Sequence, residues 1–244
     1  MPLKNAVVIA NPKAGKTNPN SVLQAVCFLS KYLETRLLWT KGPGDSKKLA
    51  MKFGGDPDTL VVVSGGDGSI NEAVNGIPNG GVLGILPNGT ANVAAKEFGI
   101  PLKTAMAAKL LLTGTVRKID IGSIFNRKFL LMAGLGFDAQ VASTVSPTMK
   151  RFFGQYSYHF EVARRYFFYV PPKIILSVEG AAPVMGAFAI VSNVRRYGGD
   201  LFFSPNARPT DCLLDVLFFR DLSFRSFSKG VLAAWARREI PDEI

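Results

Sequence analysis

Hydrophobic and polar positions along this chain follow two rhythms. In the first half, short runs that are apolar throughout alternate with longer stretches of mixed polarity. Ala6–Ala10 (AVVIA), Leu60–Val63 (LVVV) and Val82–Leu86 read as buried strands, and Leu37–Thr40 as another. Asn20–Leu33, Asp45–Phe53, Thr90–Phe98 and Leu102–Leu112 read as helices, with Asp45 as the N-cap of the second. Strands without polar alternation, separated by helices, predict a parallel sheet covered on both faces. Near Arg117 the pattern changes. Lys173–Val178, Val184–Val191 and Leu213–Phe219 read as strands between turn-rich gaps. Tyr156–Phe168 reads as an amphipathic helix with Tyr156, Phe160, Ala163 and Phe167 on one stripe, and Phe224–Arg238 as a further helix. The expected fold class is α/β: a doubly wound domain over 1–117, then a β-rich, sandwich-like domain over 118–244 with one or two helices.

Composition narrows the class. With 244 residues, 48% hydrophobic and 19% charged, the chain can bury a proper core and is not a disordered segment. Cys27 and Cys212 are too few for a disulfide framework or a Cys-based zinc site. No apolar run approaches the roughly 18 residues of a membrane-spanning helix. The N-terminus lacks the apolar stretch and cleavage site of a secretory signal. These features predict a soluble protein of a reducing compartment.

Charge adds a direction. The net charge is +11, with 14 basic and 8 acidic residues over 1–122 and 15 and 10 over 123–244. An excess spread this evenly is no nucleic-acid-binding arm. It suits a field that attracts anions generally, and a solvated basic surface alone accounts for it. Fifteen of the 18 Phe lie after residue 120, which suits sandwich packing. His159 has no second His or Cys at ligand spacing, so a helix residue is the simpler reading. Cys27 reads as a small core hydrophobe. The pairs Arg164-Arg165 and Arg195-Arg196 suit either lipid phosphate or open solvent.

The most informative segment is Val61–Gly76, VVVSGGDGSINEAVNG. An apolar strand runs into Ser64-Gly65-Gly66-Asp67-Gly68-Ser69, and a helix begins. Such a turn presents free backbone N–H groups at a helix N-terminus, where phosphate binds. Gly65, Gly66 and Gly68 let backbone approach phosphate oxygens. Asp67 would repel phosphate unless it binds or orients Mg²⁺, directly or through water, or takes a proton from a hydroxyl. The structural alternative is a glycine turn with an Asp cap. Neither a Rossmann fingerprint nor a Walker loop is present. Asn11-Pro12-Lys13-Ala14-Gly15-Lys16 and Leu86-Pro87-Asn88-Gly89-Thr90-Ala91-Asn92 follow two other strands. In a doubly wound sheet all three loops gather at one edge, as one nucleotide cleft.

These residues resemble the bacterial lipid kinases of the diacylglycerol kinase and sphingosine kinase catalytic family. The matching stretches are Asn11–Lys16, Ser64–Ile77, Leu83–Pro101, Met132–Val141, Val191–Gly199 and Pro209–Val216, in the family's order. The resemblance implies a nucleotide domain related to phosphofructokinase and NAD kinase, then a β-rich domain. It implies transfer of the γ-phosphoryl of ATP, with Mg²⁺, to the hydroxyl of a diacylglycerol-like or long-chain-base-like lipid. By the family pattern Asn11, Gly15 and Lys16 contact nucleotide; Gly65, Gly66, Gly68 and Ser69 cradle its phosphates, with Gly89 and Thr90 nearby. Asn71 and Glu72 shape the pocket from the adjoining helix, or lie on its surface. Asp67 joins the Mg²⁺–water network, and Asp138, in Gly134–Ala139, faces the cleft. Asp211 and Asp215 are metal candidates, with two turn carboxylates as the alternative. The resemblance further implies a cytoplasmic protein, peripheral to the inner face of an anionic membrane, without a nucleic-acid partner and able to form a homodimer.

Departures from the pattern matter too. Many relatives have Asn-Asp where this chain has Asn92-Val93, so one carboxylate of the metal network is gone. Ser69 replaces Thr, and Cys212 stands where Gly is usual. The family's late Asp-Gly-Glu, whose Asp is taken as the base on the lipid hydroxyl, does not occur. The chain is therefore expected to be the larger part of a kinase truncated at its C-terminus. The alternatives are a shortened, non-catalytic nucleotide or lipid binder, and a soluble-substrate kinase of the NAD kinase kind.

Overall fold

The structure, a computed structural model, describes residues 3–15, 17–137, 139–140, 173–198, 200–221, 223–236 and 238. Lys16, Asp138, the expected helix Tyr156–Phe168 with His159, and the Arg164-Arg165 pair lie outside the described residues. The chain divides into two compact units: Met1–Lys118 with Ser123–Leu130, and Ile119–Gly122 with Leu131–Ile244.

The first unit is a four-stranded parallel sheet with helices on both faces. Its strands are β1 (Asn5–Ala10), β2 (Glu34–Trp39), β3 (Thr59–Gly65) and β4 (Val82–Pro87), in the order β2-β1-β3-β4. All seven residues of β3 are buried, which is why its middle, Leu60–Val63, reads as an unbroken apolar run. Neighbouring registers pair Val8 with Val62 and Val62 with Gly84. Successive side chains leave opposite faces of the sheet. Val8, Ala10, Leu60 and Val62 meet Val22, Ala25 and Leu29 of α1 (Pro19–Leu29) and Ala107 and Ala108 of α5 (Thr104–Thr113). Helices α2 (Asp45–Phe53) and α3 (Asp67–Val74) pack together and against β3. Gly76, just past α3, admits this approach: a Cβ there would overlap the Lys47 carbonyl.

Several expected boundaries move, each for a local reason. Helix α1 stops at Leu29 rather than Leu33, because Tyr32 and Leu33 both donate backbone N–H to the Leu29 carbonyl and close a turn. Strand β2 starts at Glu34 rather than Leu37. Pairing with β1 supplies its ladder, and as an edge strand it leaves polar side chains in water. Asp45 is the first helical residue, not the cap. Gly44 caps α2 at φ 83°, and the Asp45 carboxylate reaches back to accept N–H groups of Lys41 (2.7 Å) and Gly42 (3.2 Å). The Lys41 amide is the chief reason that this carboxyl lies below the usual carboxylate range. Cys27 is exposed rather than in the core, because it falls off the stripe of Val22, Ala25 and Leu29.

The second unit is built of short antiparallel pieces. Strands β7 (Met132–Gly136), β10 (Phe188–Ser192) and β13 (Asp215–Phe219) form a sheet ordered β13-β10-β7. Strand pairs β8 (Ile174–Leu176) with β9 (Val184–Gly186), and β11 (Arg196–Tyr197) with β12 (Leu201–Phe202), complete the described part, with helix α6 (Phe224–Trp235) against β12. The single strand expected over Val184–Val191 is two. Its first half pairs with β8 and its second with β7 and β13. Phe188 and Phe219 stack at 4.1 Å between centroids, and Phe137 meets Phe188 edge-on at 6.0 Å. Strands β5 (Gly122–Ile124) and β6 (Arg127–Phe129) form a hairpin that, Gly122 apart, belongs to the first unit.

Candidate functional site

Three strand ends meet at the carboxyl edge of the parallel sheet. Strand β1 delivers the loop from Asn11, β3 delivers Gly65–Ser69, and β4 delivers Asn88–Asn92. Because β1, β3 and β4 are neighbours, these loops lie side by side. At Gly66 and Gly89 the contact is backbone against backbone. A Cβ on Gly66 would stand 3.1 Å from the Gly89 Cα, and a Cβ on Gly89 would overlap the Gly66 Cα itself. On Gly65 it would meet the Ser69 Cβ at 2.9 Å, and on Gly15 the Thr90 Oγ1 at 2.5 Å. Gly68 faces open space.

Asparagine side chains stitch the loops together. Asn11 donates its backbone N–H to the Ser64 carbonyl (2.9 Å) and its amide to Ser69 Oγ (3.0 Å). Asn88 donates its backbone N–H to the Gly65 carbonyl (3.0 Å) and its amide to the buried Ser64 Oγ (2.8 Å). Asn92, at φ 50°, closes a ring on Gly89: its Oδ1 accepts the Gly89 N–H (2.8 Å) and its amide donates to the Gly89 carbonyl (2.9 Å). This turn explains why the helix expected from Thr90 is only α4 (Val93–Glu97). Asn tolerates the left-handed region that most residues avoid.

Asp67 has a definite task in this network. Its two carboxylate oxygens accept the N–H groups of Val93 (3.1 Å) and Ala94 (2.9 Å), the first two residues of α4. These amides have no partner inside their own helix. Asp67 supplies one, and their positive end offsets a carboxylate that would otherwise sit unbalanced in a glycine loop. The cap in this loop thus belongs to a helix 26 residues downstream. Helix α3 itself is capped by Gly66, which offers no side-chain acceptor to the first turn.

Asn71 and Glu72 lie on α3, in the turn after Ser69. Asn71 Oδ1 accepts the Leu130 N–H at 3.3 Å. One turn on, Asn75 pairs with both backbone groups of Lys128, donating to its carbonyl (2.7 Å) and accepting its N–H (2.9 Å). Two asparagines at helical spacing thus bind α3 to β6 and the residue after it. Glu72 is half-buried. Asn75 and Asn88 carry no signal in the sequence beyond Asn beside Gly, and Asn92 none for its bonds to Gly89.

A family model described as the diacylglycerol kinase catalytic domain matches residues 5–124, and one described as the YegS C-terminal NAD kinase beta sandwich-like domain matches residues 132–232. A relative named "Probable lipid kinase YegS-like" from Pseudomonas aeruginosa is 31% identical over 223 residues, 87% of this chain and 71% of that protein. The chain belongs to the diacylglycerol kinase catalytic-domain family. The diacylglycerol kinase of Bacillus subtilis is 27% identical over 252 residues, covering 99% of this chain and 82% of the relative. A solved diacylglycerol kinase structure from Bacillus anthracis shares the fold, with a TM-score of 0.75 and 23% identity over 95% of this chain and 81% of that one.

In this diacylglycerol kinase family member the metal candidates fall in two places. Asp67 already accepts two amides, which leaves it fit for a cation through its remaining lone pairs or a water. In the second unit, Asp211 accepts the Leu213 N–H at 3.1 Å, and Asp215 opens β13. Burial, and then the Asp211 carboxylate, push the Asp215 carboxyl up from its usual range. Two carboxylates that repel one another have the donor chemistry a hard cation neutralises. Among the described residues no group of three or more His, Cys, Asp or Glu stands ready for a metal. Cys212, between them in sequence, adopts φ 60° where Gly is usual, and its N–H donates to Asp120 at 2.8 Å. Among the described residues no helix is long and apolar enough to cross a membrane.

Proposed function

We propose that this chain is a kinase that transfers the γ-phosphoryl of Mg-ATP to a lipid hydroxyl. The observation that carries this reading is the pair Gly66 and Gly89, whose backbones touch at the edge of the sheet. Two glycine loops in contact, one opening a helix with no side-chain cap, form a cradle of backbone N–H groups for phosphates. Phosphoryl transfer is mostly positioning and charge neutralisation, so such a cradle is the main requirement. Asn11, Gly15, Lys16, Gly65, Gly66, Gly68, Ser69, Gly89 and Thr90 are the residues we assign to the nucleotide. Asp67 keeps the two loops in register through α4 and lies within reach of a cation that neutralises the phosphates. Asp138 is assigned to the acceptor side on its motif. The lipid acceptor follows from the family, whose relatives are named diacylglycerol kinase and lipid kinase.

The test is transfer of labelled phosphate from Mg-ATP to diacylglycerol or a long-chain base in mixed micelles, with NAD assayed in parallel. Transfer to lipid and not to NAD is expected. Preference for NAD would replace the reading with a soluble-substrate kinase, and ATP binding without transfer would replace it with a non-catalytic binder. Asp67→Asn keeps one acceptor and opposes the second amide with an NH₂ group. It should lower transfer by about 10²-fold through misplacement of the third loop. Unchanged activity would overturn the role given to Asp67.

A further inference from the structure

The β5–β6 hairpin reverses through Phe125 and Asn126, at φ 46° and 62°. Two successive residues in the left-handed region define the turn that two-residue hairpins ordinarily make with Asn-Gly or Gly-Gly. Asn126 suits its place. Phe125 does not, because its Cβ crowds the backbone there. Packing gives nothing in return: the side chain is 91% exposed, more than any other large hydrophobic residue among the described ones. Its mount is firm. Asn75 holds Lys128 by both backbone groups, and Phe129 and Leu130 behind it are buried. A strained, unpacked aromatic on a rigid support does nothing for the unit that carries it, and such an outlier points to a role outside the fold.

Charge says what the tip would meet. Residues 115–129 carry Arg117, Lys118, Arg127 and Lys128 against Asp120 alone. Lys128 reaches back towards the Ile77 carbonyl (3.5 Å) and Asn79 (3.4 Å), whereas Arg127, two residues from Phe125, is exposed. We propose that this tip docks the protein on an anionic lipid bilayer. The Phe125 ring enters the interfacial layer, and Arg127 lies at the level of the headgroup phosphates. An aromatic group prefers that interface, and each basic residue near an anionic surface adds attraction. Together they are the two weak signals that reversible membrane attachment requires. The proposal rests on the reading of the acceptor as a membrane lipid.

The experiment is co-sedimentation of the whole chain with vesicles of phosphatidylglycerol and phosphatidylcholine, without nucleotide. Phe125→Asn should weaken partitioning about tenfold. It should unfold no lower than the wild type, since Asn accepts the left-handed turn. Arg127→Ala should weaken it about fivefold, and that difference should vanish in about 0.5 M salt. Phe125→Trp should keep the partitioning, with a vesicle-dependent blue shift in fluorescence larger than Trp39 and Trp235 give in the wild type. Equal partitioning of Phe125→Asn and wild type would overturn the proposal, as would a wild type that ignores anionic vesicles. A self-associating wild type that Phe125→Asn renders monomeric would give the tip to a second copy instead. Partitioning is read without turnover, so it is separate from the kinase assay. A wild type that phosphorylates lipid in micelles, yet partitions like Phe125→Asn, would lose the tip and keep the activity. One that partitions as expected but transfers no phosphate would do the reverse.

Discussion

The parallel unit and the antiparallel unit achieve order by different means. In the first, every residue of β3 is buried, and the loops beyond the sheet are held by main-chain contact and by side-chain hydrogen bonds to backbone and to other side chains. In the second, strands are short, and β13 buries Phe219 while leaving Val216 exposed. Its core rests on a few large rings, with Phe188 stacked on Phe219. The difference teaches where each unit is vulnerable. Ring packing in the second is lost by truncating one side chain. Loop packing in the first is lost by adding one methyl group.

The largest expected effect tests the ring core. Phe219→Ala removes a side chain that is 1% exposed and one half of the stacked pair, at a cost of about 3–5 kcal/mol. Denaturant unfolding should show an early transition for the second unit, while ATP binding followed by calorimetry persists. Loss of both together would erase the contrast between the units. Gly89→Ala is the converse. Its Cβ would strike the Gly66 backbone, which cannot swing aside as a side chain can, so about 1–3 kcal/mol is expected together with loss of nucleotide binding. Gly68→Ala, where space is open, is the control and should spare stability.

A smaller effect sharpens the comparison at the β5–β6 hairpin of the first unit. Asn75→Ala deprives the backbone of Lys128 of two partners and should cost about 1–3 kcal/mol in thermal unfolding. Asn75→Asp should fall between, since a carboxylate accepts the N–H but cannot donate to the carbonyl. The smallest effect lies at the start of β3. Asp56 accepts from Thr59 Oγ1 (2.7 Å) and from the Asp58 N–H (3.0 Å), and the Thr59 hydroxyl chiefly holds its carboxyl below the usual range. A depressed carboxylate stabilises the fold above its unfolded-state value, and that contribution is lost as pH falls through the folded value. Asp56→Asn should therefore melt slightly below the wild type near pH 7, and the gap should narrow as pH falls below the usual carboxylate range.

Particular residues show how much of this was legible beforehand. The apolar runs of β1, β3 and β4 announced a parallel sheet because strands buried on both faces carry few polar positions. Asp45–Phe53 was bounded correctly because glycines flank it. That the three loops lie side by side was legible because strand order gathers carboxyl ends. The partner of Asp67 was not, because a carboxylate in a glycine loop says nothing about an amide 26 residues away. Nor was the break at Ala187, since a run of small and apolar residues reads the same whether one sheet or two receives it. Cys27 was placed in the core on its chemistry, and the geometry of α1 turned it to solvent.

By itself the sequence determined the two-part architecture, the family and the order of its loops. Those follow from local hydrophobic period and from glycines whose spacing is a chemical requirement. Only the tertiary structure decided that Gly66 touches Gly89, that Asp67 caps α4, that Asn75 grips Lys128 and that Phe125 stands unpacked. Each of these depends on where a second, distant segment lies, and that position is set by the packing of the whole sheet and its helices rather than by neighbours in the chain.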